Sequence, residues 1–214
     1  MLHRLHLNHT IAHVFYADAS TVDHGWLHGF IDQDEHARLK AMPHPSKQKQ
    51  SMSVRSLLAC ALRELYGDHC VAVWQLGRNC GRPVLTGAKP PFISLSHSNE
   101  WVACAISEVP VGLDIEHCKP RDYDALAKQI CSVSEWRTFQ SLPHEQRKFW
   151  FYRLWTAKEA LFKLDGGELA REVCPDMNLQ SDSCQDGLIR WFEIPGGVIG
   201  ALSTFQEISS RETV

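Results

Sequence analysis

In V-G-L-D-I-E, residues 111–116, apolar and polar side chains alternate along the chain. Alternate side chains of a β-strand point to opposite faces of the sheet, so the carboxylates of Asp114 and Glu116 are expected on the same face, roughly 6.5 to 7 Å apart. Oxygen atoms are the ligands that Mg²⁺ prefers, together with waters and substrate phosphates. The segment therefore predicts a strand that carries either a metal site or an ordinary solvated acidic face.

The strongest helical pattern in the sequence runs from about Glu145 to Asp165. One stripe of this helix is apolar and is expected to pack against a sheet; it contains Trp150, Leu154, Ala157 and Leu161. Trp155, Glu159 and Lys163 follow at intervals of four residues and form a neighbouring stripe. Glu159 is thus expected at the margin of the buried face, either in a site or in a Glu-Lys pair worth roughly 0.2 to 0.5 kcal/mol.

Each half of the chain contains one long helix and several short strands, which predicts an α+β fold. In the first half, helices are predicted at Asp32–Lys40 and Ser46–Tyr66, and strands at Ala12–Tyr16, Val71–Leu76, Val84–Leu85, Phe92–Leu95 and Trp101–Ser107. In the second half, Gly166 and Gly167 are expected to end the long helix, and strands are predicted near Met177–Leu179, Leu188–Ile194 and Val198–Ser203.

Composition excludes several classes of protein. The chain has 214 residues, a formal charge of −3 and 44% hydrophobic residues, which is typical of a globular protein and not of a nucleic-acid-binding or disordered one. Its apolar runs are shorter than the ~20 residues of a membrane span, and the N-terminal segment lacks the apolar centre of a signal peptide. The eight cysteines form no C-x-x-C pair, which favours reduced thiols. We expect a cytoplasmic protein that binds neither nucleic acid nor membrane.

Two segments contain groups that can bind phosphate. S-L-S-H-S, residues 94–98, ends an apolar strand, where Ser96, His97 and free backbone N–H groups can receive phosphate oxygens. R-N-C-G-R-P, residues 78–83, places Arg78 and Arg82 in a tight turn, either at an anion or as solvated loop arginines. A serine nucleophile with His97 as its base is disfavoured, because adjacent side chains point apart and the G-x-S-x-G motif is missing.

Four segments together resemble one enzyme family. They are G-R-P at 81–83, I-S-L-S-H-S at 93–98, V-G-L-D-I-E at 111–116 and F-Y-R-L-W-T-A-K-E-A-L-F-K at 151–163. In order and spacing they resemble the 4′-phosphopantetheinyl transferases of the Sfp type, which activate peptide, polyketide and fatty-acid carrier proteins. The resemblance implies a pseudo-twofold α+β fold, in which two similar halves, each a long helix on a small sheet, bind coenzyme A in the cleft between them.

The resemblance also implies roles for individual residues. Asp114, Glu116 and Glu159 would hold Mg²⁺, with Mn²⁺ as an alternative, at the pyrophosphate of coenzyme A. Lys163 would contact the phosphate under attack, and Glu159 would accept the proton of the carrier serine directly or through a water. The residues implied at the nucleotide and its 3′-phosphate are Arg38, Arg78, Arg82, Ser96 and His97. Arg82 stands where the family usually has a lysine.

The implied activity is transfer of the phosphopantetheine arm of coenzyme A to a serine of an apo carrier protein, with release of 3′,5′-ADP. Residues 1–108 would form the nucleotide side and residues 109–214 the metal and catalytic side, in a monomer. Two alternatives remain open: another Mg²⁺-dependent transferase acting on a nucleotide diphosphate, and an inactive module that binds coenzyme A or a carrier protein. The three carboxylates and Lys163 favour an enzyme, because an inactive module has no chemical need of them.

Overall fold

The computed structural model describes residues 1–7, 11–165, 183–184 and 187–204, without the side chains of 183–188. These residues contain six α-helices and ten strands. The helices are α1 (Gln33–Lys40), α2 (Pro45–Tyr66), α3 (Cys70–Val73), α4 (Tyr123–Ile130), α5 (Val133–Ser141) and α6 (His144–Leu164). The strands are β1 (His3–Leu5), β2 (Ala12–Asp18), β3 (Trp74–Asn79), β4 (Arg82–Gly87), β5 (Phe92–Ser98), β6 (Trp101–Ser107), β7 (Val111–His117), β8 (Ser183–Cys184), β9 (Gly187–Ile194) and β10 (Val198–Thr204).

Two antiparallel sheets of four strands form the centre of the protein. The first has the order β1-β2-β6-β5 and the second the order β7-β10-β9-β8, while β3 and β4 form a separate hairpin. Helix α2 packs on the first sheet and α6 packs on the second. The mixture of helices and sheets confirms the α+β prediction.

Apolar side chains fill the space between the two sheets as well as beneath the helices. Leu113 and Ile115 of β7 pack against Val14 and Ala103 of the first sheet. On the opposite side of the second sheet, α6 buries the predicted apolar stripe, including Leu154, Ala157 and Leu161. Because β7 is covered on both faces, Asp114 is only 7% exposed. The alternative of a solvated acidic face is therefore wrong for Asp114.

The two long helices begin and end within one residue of their predicted limits. The strand predicted at Val71–Leu76 is wrong at its start, because Cys70–Val73 forms a helical turn and the strand begins at Trp74. A short apolar run has too few residues for its periodicity to distinguish the two structures. The predictions at Gly166–Gly167 and Met177–Leu179 lie outside the described residues.

In the described ranges, no helix combines the length and the apolar character needed to cross a membrane. The described cysteines are free thiols, in agreement with the prediction; they are Cys60, Cys70, Cys80, Cys104, Cys118 and Cys131. Cys174 and the side chain of Cys184 lie outside the described part of the structure.

Candidate active site

The candidate site lies where two edge strands, β5 and β7, run side by side. Serine hydroxyl oxygens of β5 bridge the strands by accepting hydrogen bonds from backbone N–H groups of β7. The pairs are Leu113 N–H to Ser94 at 2.9 Å, Ile115 N–H to Ser96 at 3.1 Å and His117 N–H to Ser98 at 3.0 Å. Serine side chains thus satisfy backbone donors that a neighbouring strand would otherwise satisfy with its carbonyl groups.

Two of these serines also hold the carboxylates of β7. Ser96 Oγ donates to Asp114 Oδ1 at 2.8 Å, and Ser98 Oγ donates to Glu116 Oε2 at 2.7 Å. The second oxygen of Asp114, Oδ2, is buried and has no hydrogen-bond partner among the described residues. Burial raises the pKa of Glu116, and the charge of Asp114 adds to this effect, although the hydrogen bond from Ser98 opposes it. Negative charge is thus concentrated at this point, where a cation would stabilise it.

Lys163 supplies one positive charge beside these carboxylates. Its Nζ donates to Asp114 Oδ1 at 2.7 Å, to the carbonyl oxygen of Leu113 at 2.9 Å and to that of Leu95 at 3.4 Å. The last turn of α6 therefore meets β5 and β7 at a single ammonium group.

Gly112 allows α6 to approach β7 closely. A Cβ at this position would overlap the carbonyl oxygen of Ala160, and it would also crowd the backbone nitrogen of Leu164 at 2.7 Å. Both atoms belong to backbone that a side-chain rotation cannot move. The glycine of V-G-L-D-I-E is thus required by the packing that brings Lys163 to Asp114.

Glu159 lies half-buried on α6, four residues before Lys163. Asp114 and Glu116 share one face of β7, as predicted. Within the described residues, however, no three His, Cys, Asp or Glu side chains are close enough together to hold a metal ion. Asp114 and Glu116 thus lie on one strand face, and the assignment of Asp114, Glu116 and Glu159 as metal ligands stays a prediction.

A buried carboxylate in α1 gathers three arginines. Glu35 is 1% exposed; it accepts hydrogen bonds from Arg38 Nε at 2.8 Å and Arg55 Nε at 2.5 Å, and Arg78 Nη1 lies 3.7 Å from its Oε1. Burial by itself would raise the pKa of Glu35, but the hydrogen bonds and charges of Arg38 and Arg55 outweigh it and lower the pKa. Three guanidinium groups around one carboxylate leave an excess of positive charge, which suits an anion such as phosphate.

The sequence pattern predicted neither Glu35 nor Arg55 as a member of this cluster. Arg55 is the more informative of the two. It lies in α2, where the apolar pattern indicated only a core helix. Burial lowers the pKa of Arg55 to about 10, although the charge of Glu35 opposes this effect. A signal was present in S-V-R-S-L-L, residues 53–58, because an arginine in a buried stripe requires a charged partner from another element.

His97 lies close enough to both Lys163 and Arg55 for their charges to affect its pKa. It lies on the face of β5 opposite the serine hydroxyls, because successive side chains of a strand alternate. The surrounding protein lowers the pKa of His97, and the charges of Lys163 and Arg55 lower it further, although part of the imidazole is exposed to solvent. An anion bound here would favour the protonated imidazole, so His97 can donate a hydrogen bond to phosphate.

The β3–β4 hairpin brings both predicted guanidinium groups to the site. It turns at Cys80 and Gly81, which have positive φ values of 46° and 82°, as a two-residue hairpin turn requires. Arg78 and Arg82 lie on the two strands that flank this turn, and Arg82 is the first residue of β4. The sequence predicts that both arginines lie in a tight turn, whereas in the structure they lie on the two paired strands beside the turn.

A narrow slot of about 130 Å³ opens between this hairpin and α6. The residues that line it are Arg82, Pro83, Ile93, Ser94, Leu95, Phe162 and Lys163. A larger cavity of about 470 Å³ shares Arg82 and Lys163 with the slot, whereas a cavity of about 440 Å³ beside α1 contacts none of the predicted site residues. Apolar walls with cations at the rim suit an aromatic base attached to phosphates.

Comparison with known proteins shows to which family the chain belongs. The sequence profile of the 4′-phosphopantetheinyl transferase superfamily matches residues 110–197. The 4′-phosphopantetheinyl transferase AcpT of Salmonella typhimurium is 37% identical over 151 residues, which cover 68% of this chain and 73% of that protein. The chain belongs to the 4′-phosphopantetheinyl transferase superfamily.

Other members of the superfamily match shorter parts of the chain. The transferase psf-1 of Bacillus pumilus is 41% identical over 86 residues, or 40% of this chain and 36% of that protein. A 4′-phosphopantetheinyl transferase of Bacillus subtilis is 26% identical over 140 residues, or 65% of this chain and 62% of that protein. The chain thus spans between about a third and two thirds of the length of these two relatives. The matched range of this chain contains Asp114, Glu116, Glu159 and Lys163, whereas the predicted nucleotide-binding residues precede its first matched position.

Proposed function

We propose that the chain is a Mg²⁺-dependent 4′-phosphopantetheinyl transferase of the holo-carrier-protein synthase type. It would move the phosphopantetheine arm of coenzyme A onto a serine of an apo carrier protein and release 3′,5′-ADP. The observation that carries this proposal is the contact between Lys163 and Asp114. An ammonium group here meets a buried carboxylate whose second oxygen has no hydrogen-bond partner in the part of the chain that the structure describes. Superfamily membership supports the same reaction.

The two halves of the chain, residues 1–108 and 109–214, would be related by a pseudo-twofold axis. Each half supplies one four-stranded sheet, with β5 at the edge of the first and β7 at the edge of the second. Each half also supplies one long helix, α2 or α6, against its own sheet. The active site would occupy the cleft between these halves, beside the β5–β7 contact.

Coenzyme A would lie along a row of positive charges in this cleft. The Glu35 cluster, with Arg38 and Arg78, and the neighbouring His97 would bind the 3′-phosphate, since their combined charge is positive. Arg82 and the adjoining slot would hold the nucleotide base. Lys163 would contact the pyrophosphate, and Ser96, which holds Asp114, would border it.

Mg²⁺, or Mn²⁺ in its place, would be held by Asp114, Glu116 and Glu159. Asp114 Oδ2 fits a cation, because a buried acceptor without a donor is otherwise costly by about 1 to 3 kcal/mol. Glu116 fits as well, because it shares the strand face with Asp114 and oxygen ligands suit this metal. When bound, the metal would neutralise charge on the pyrophosphate oxygens.

The reaction would proceed by attack of the carrier serine on the β-phosphorus of coenzyme A. A bond forms between the serine oxygen and this phosphorus, while the bond from the phosphorus to the bridging oxygen breaks and 3′,5′-ADP departs. Glu159 would accept the serine proton directly or through a water. Lys163 and the arginines would stabilise charge that develops on the leaving group, because positioning and electrostatics dominate such transfers.

The carriers would be acyl or peptidyl carrier proteins of fatty-acid, polyketide or nonribosomal peptide synthases. We further propose that the chain acts as a monomer in the cytoplasm, where its free thiols would stay reduced.

The test is a transfer assay followed by mass spectrometry of the carrier. The protein is incubated with coenzyme A, Mg²⁺ and a panel of apo carriers from the three kinds of synthase. At least one carrier should gain the mass of phosphopantetheine, and chelation of the metal should abolish this gain. If no carrier gains mass, or if the rate survives chelation, the proposed reaction or its metal requirement is refuted.

Glu159→Gln tests the assignment of the base in the same assay. The substitution keeps the size of the side chain but cannot accept the serine proton, so the single-turnover rate should fall by about 10² to 10⁴ while coenzyme A still binds. Glu145→Gln, an exposed position on the same helix, is the matched control. A wild-type rate in Glu159→Gln would exclude this residue as the base.

A further inference from the structure

The three serines that join β5 to β7 are not equivalent. Each hydroxyl accepts one backbone N–H of β7 at 2.9 to 3.1 Å. Ser98 has a second bond, because it donates its proton to Glu116 Oε2 at 2.7 Å. Among the hydrogen bonds of the described side chains, Ser94 has no such bond to a carboxylate. Ser94 and Ser98 therefore make the same kind of bond to the backbone of β7, but only Ser98 also donates to the Glu116 carboxylate.

The Ser98 hydroxyl has the geometry of a relay between backbone and carboxylate. The N–H of His117 donates to its oxygen at 3.0 Å, and the hydroxyl then donates to Glu116. A hydroxyl that accepts from a fixed N–H has its own proton directed elsewhere, and the two hydrogen bonds polarise each other. One oxygen of the Glu116 carboxylate is thus held by the rigid strand backbone through Ser98.

We propose that Ser98 is a positioning residue, which holds the Glu116 carboxylate in the orientation that a divalent cation requires, whereas Ser94 joins the strands and borders the slot beside Arg82 without a hydrogen bond to a described carboxylate. The inference rests on the proposed role of Glu116 as a metal ligand. Groups that hydrogen-bond to metal ligands typically change metal affinity by about 10-fold to 100-fold when they are removed. The loss of the Ser98 hydroxyl should therefore weaken metal binding far more than the loss of the Ser94 hydroxyl.

The experiment measures Mn²⁺ binding to the full chain by electron paramagnetic resonance, in which the signal of free Mn²⁺ decreases as the ion binds. Coenzyme A is present and carrier protein is absent. The variants are Ser98→Ala, Ser98→Thr and the matched control Ser94→Ala. Thermal unfolding is measured on all of them, because both alanine variants lose one acceptor of a backbone N–H. Transfer to a carrier is measured separately.

Ser98→Ala should raise the dissociation constant for Mn²⁺ at least tenfold, Ser98→Thr should restore it to within a factor of three, and Ser94→Ala should leave it within a factor of two. The inference is overturned if Ser98→Ala binds Mn²⁺ like the wild type, if Ser94→Ala weakens binding equally, or if the wild type binds no Mn²⁺. If the expected pattern appears but the wild type modifies no carrier, the proposed transfer reaction fails and the role of Ser98 stands.

Discussion

Replacing Lys158 by methionine tests the buried ion pair that fixes α6 against α5. The Lys158 ammonium donates to Glu135 Oε2 at 2.7 Å and to the carbonyl oxygen of Ile130, at the end of α4, at 2.9 Å. The side chains of Lys158 and Glu135 are 11% and 2% exposed. Glu135 also accepts the N–H of Ser132 in the capping box that begins α5. One lysine therefore connects three helices, directly before Glu159.

The expected loss for Lys158→Met follows from this burial. Methionine retains most of the apolar stem, so little cavity forms. The Glu135 carboxylate, however, loses the Lys158 ammonium while it stays buried, and breaking a buried pair in this way costs about 3 to 5 kcal/mol. The matched surface pair is Arg63 with Asp68, whose side chain is 82% exposed. Asp68→Asn should cost less than about 1 kcal/mol.

The assay is urea unfolding at neutral pH, followed by tryptophan fluorescence and by circular dichroism to establish two-state behaviour. Lys158→Met combined with Glu135→Gln should be less destabilised than the sum of the two single variants, because the charge that Lys158 neutralises is then absent as well. A loss in Lys158→Met as small as that in Asp68→Asn would refute the reasoning. So would strict additivity in the double variant.

Three other predictions concern the walls of the site. Gly112→Ala should destabilise the fold by about 1 to 3 kcal/mol and reduce turnover, because the methyl group would overlap the carbonyl oxygen of Ala160; unchanged urea midpoints and turnover would contradict the close packing. The pKa of Glu35 is lowered in the folded state. The ionised carboxylate therefore stabilises the fold at pH values above its pKa in the unfolded chain, about 4.3, and this stabilisation is lost as the pH falls through the folded pKa. Glu35→Gln should therefore lower the unfolding midpoint at neutral pH, and this effect should shrink as the pH falls below about 4.3. A loss that does not change with pH would argue against an ionised Glu35. Because the pKa of His97 is lowered, its imidazole is neutral at about pH 8 and gains charge only as the pH falls below the ordinary histidine value of about 6.5. The coenzyme A affinity of the wild type, measured by calorimetry, should then rise over this range relative to His97→Gln, and parallel pH profiles would remove His97 from the phosphate site.

Local periodicity was sufficient to predict the elements that carry the site. The alternation in V-G-L-D-I-E put Asp114 and Glu116 on one strand face, and the helical spacing put Glu159 and Lys163 on one stripe of α6. Both placements depend only on the spacing of residues along one strand or one helix, because backbone geometry sets the period at which side chains return to the same face. The same reasoning failed at Cys70–Val73, where the apolar run is too short for its period to be determined.

The contacts that make these elements a site were decided by the tertiary structure. Lys163 and Leu95 meet across 68 positions of the sequence, and Arg55 reaches Glu35 across 20. The sequence indicated that Ser98 and Lys158 lie near functional motifs, but not that one holds Glu116 and the other Glu135. Partners at such separations are selected by how two sheets and their helices pack, and no periodic pattern within either segment records that packing.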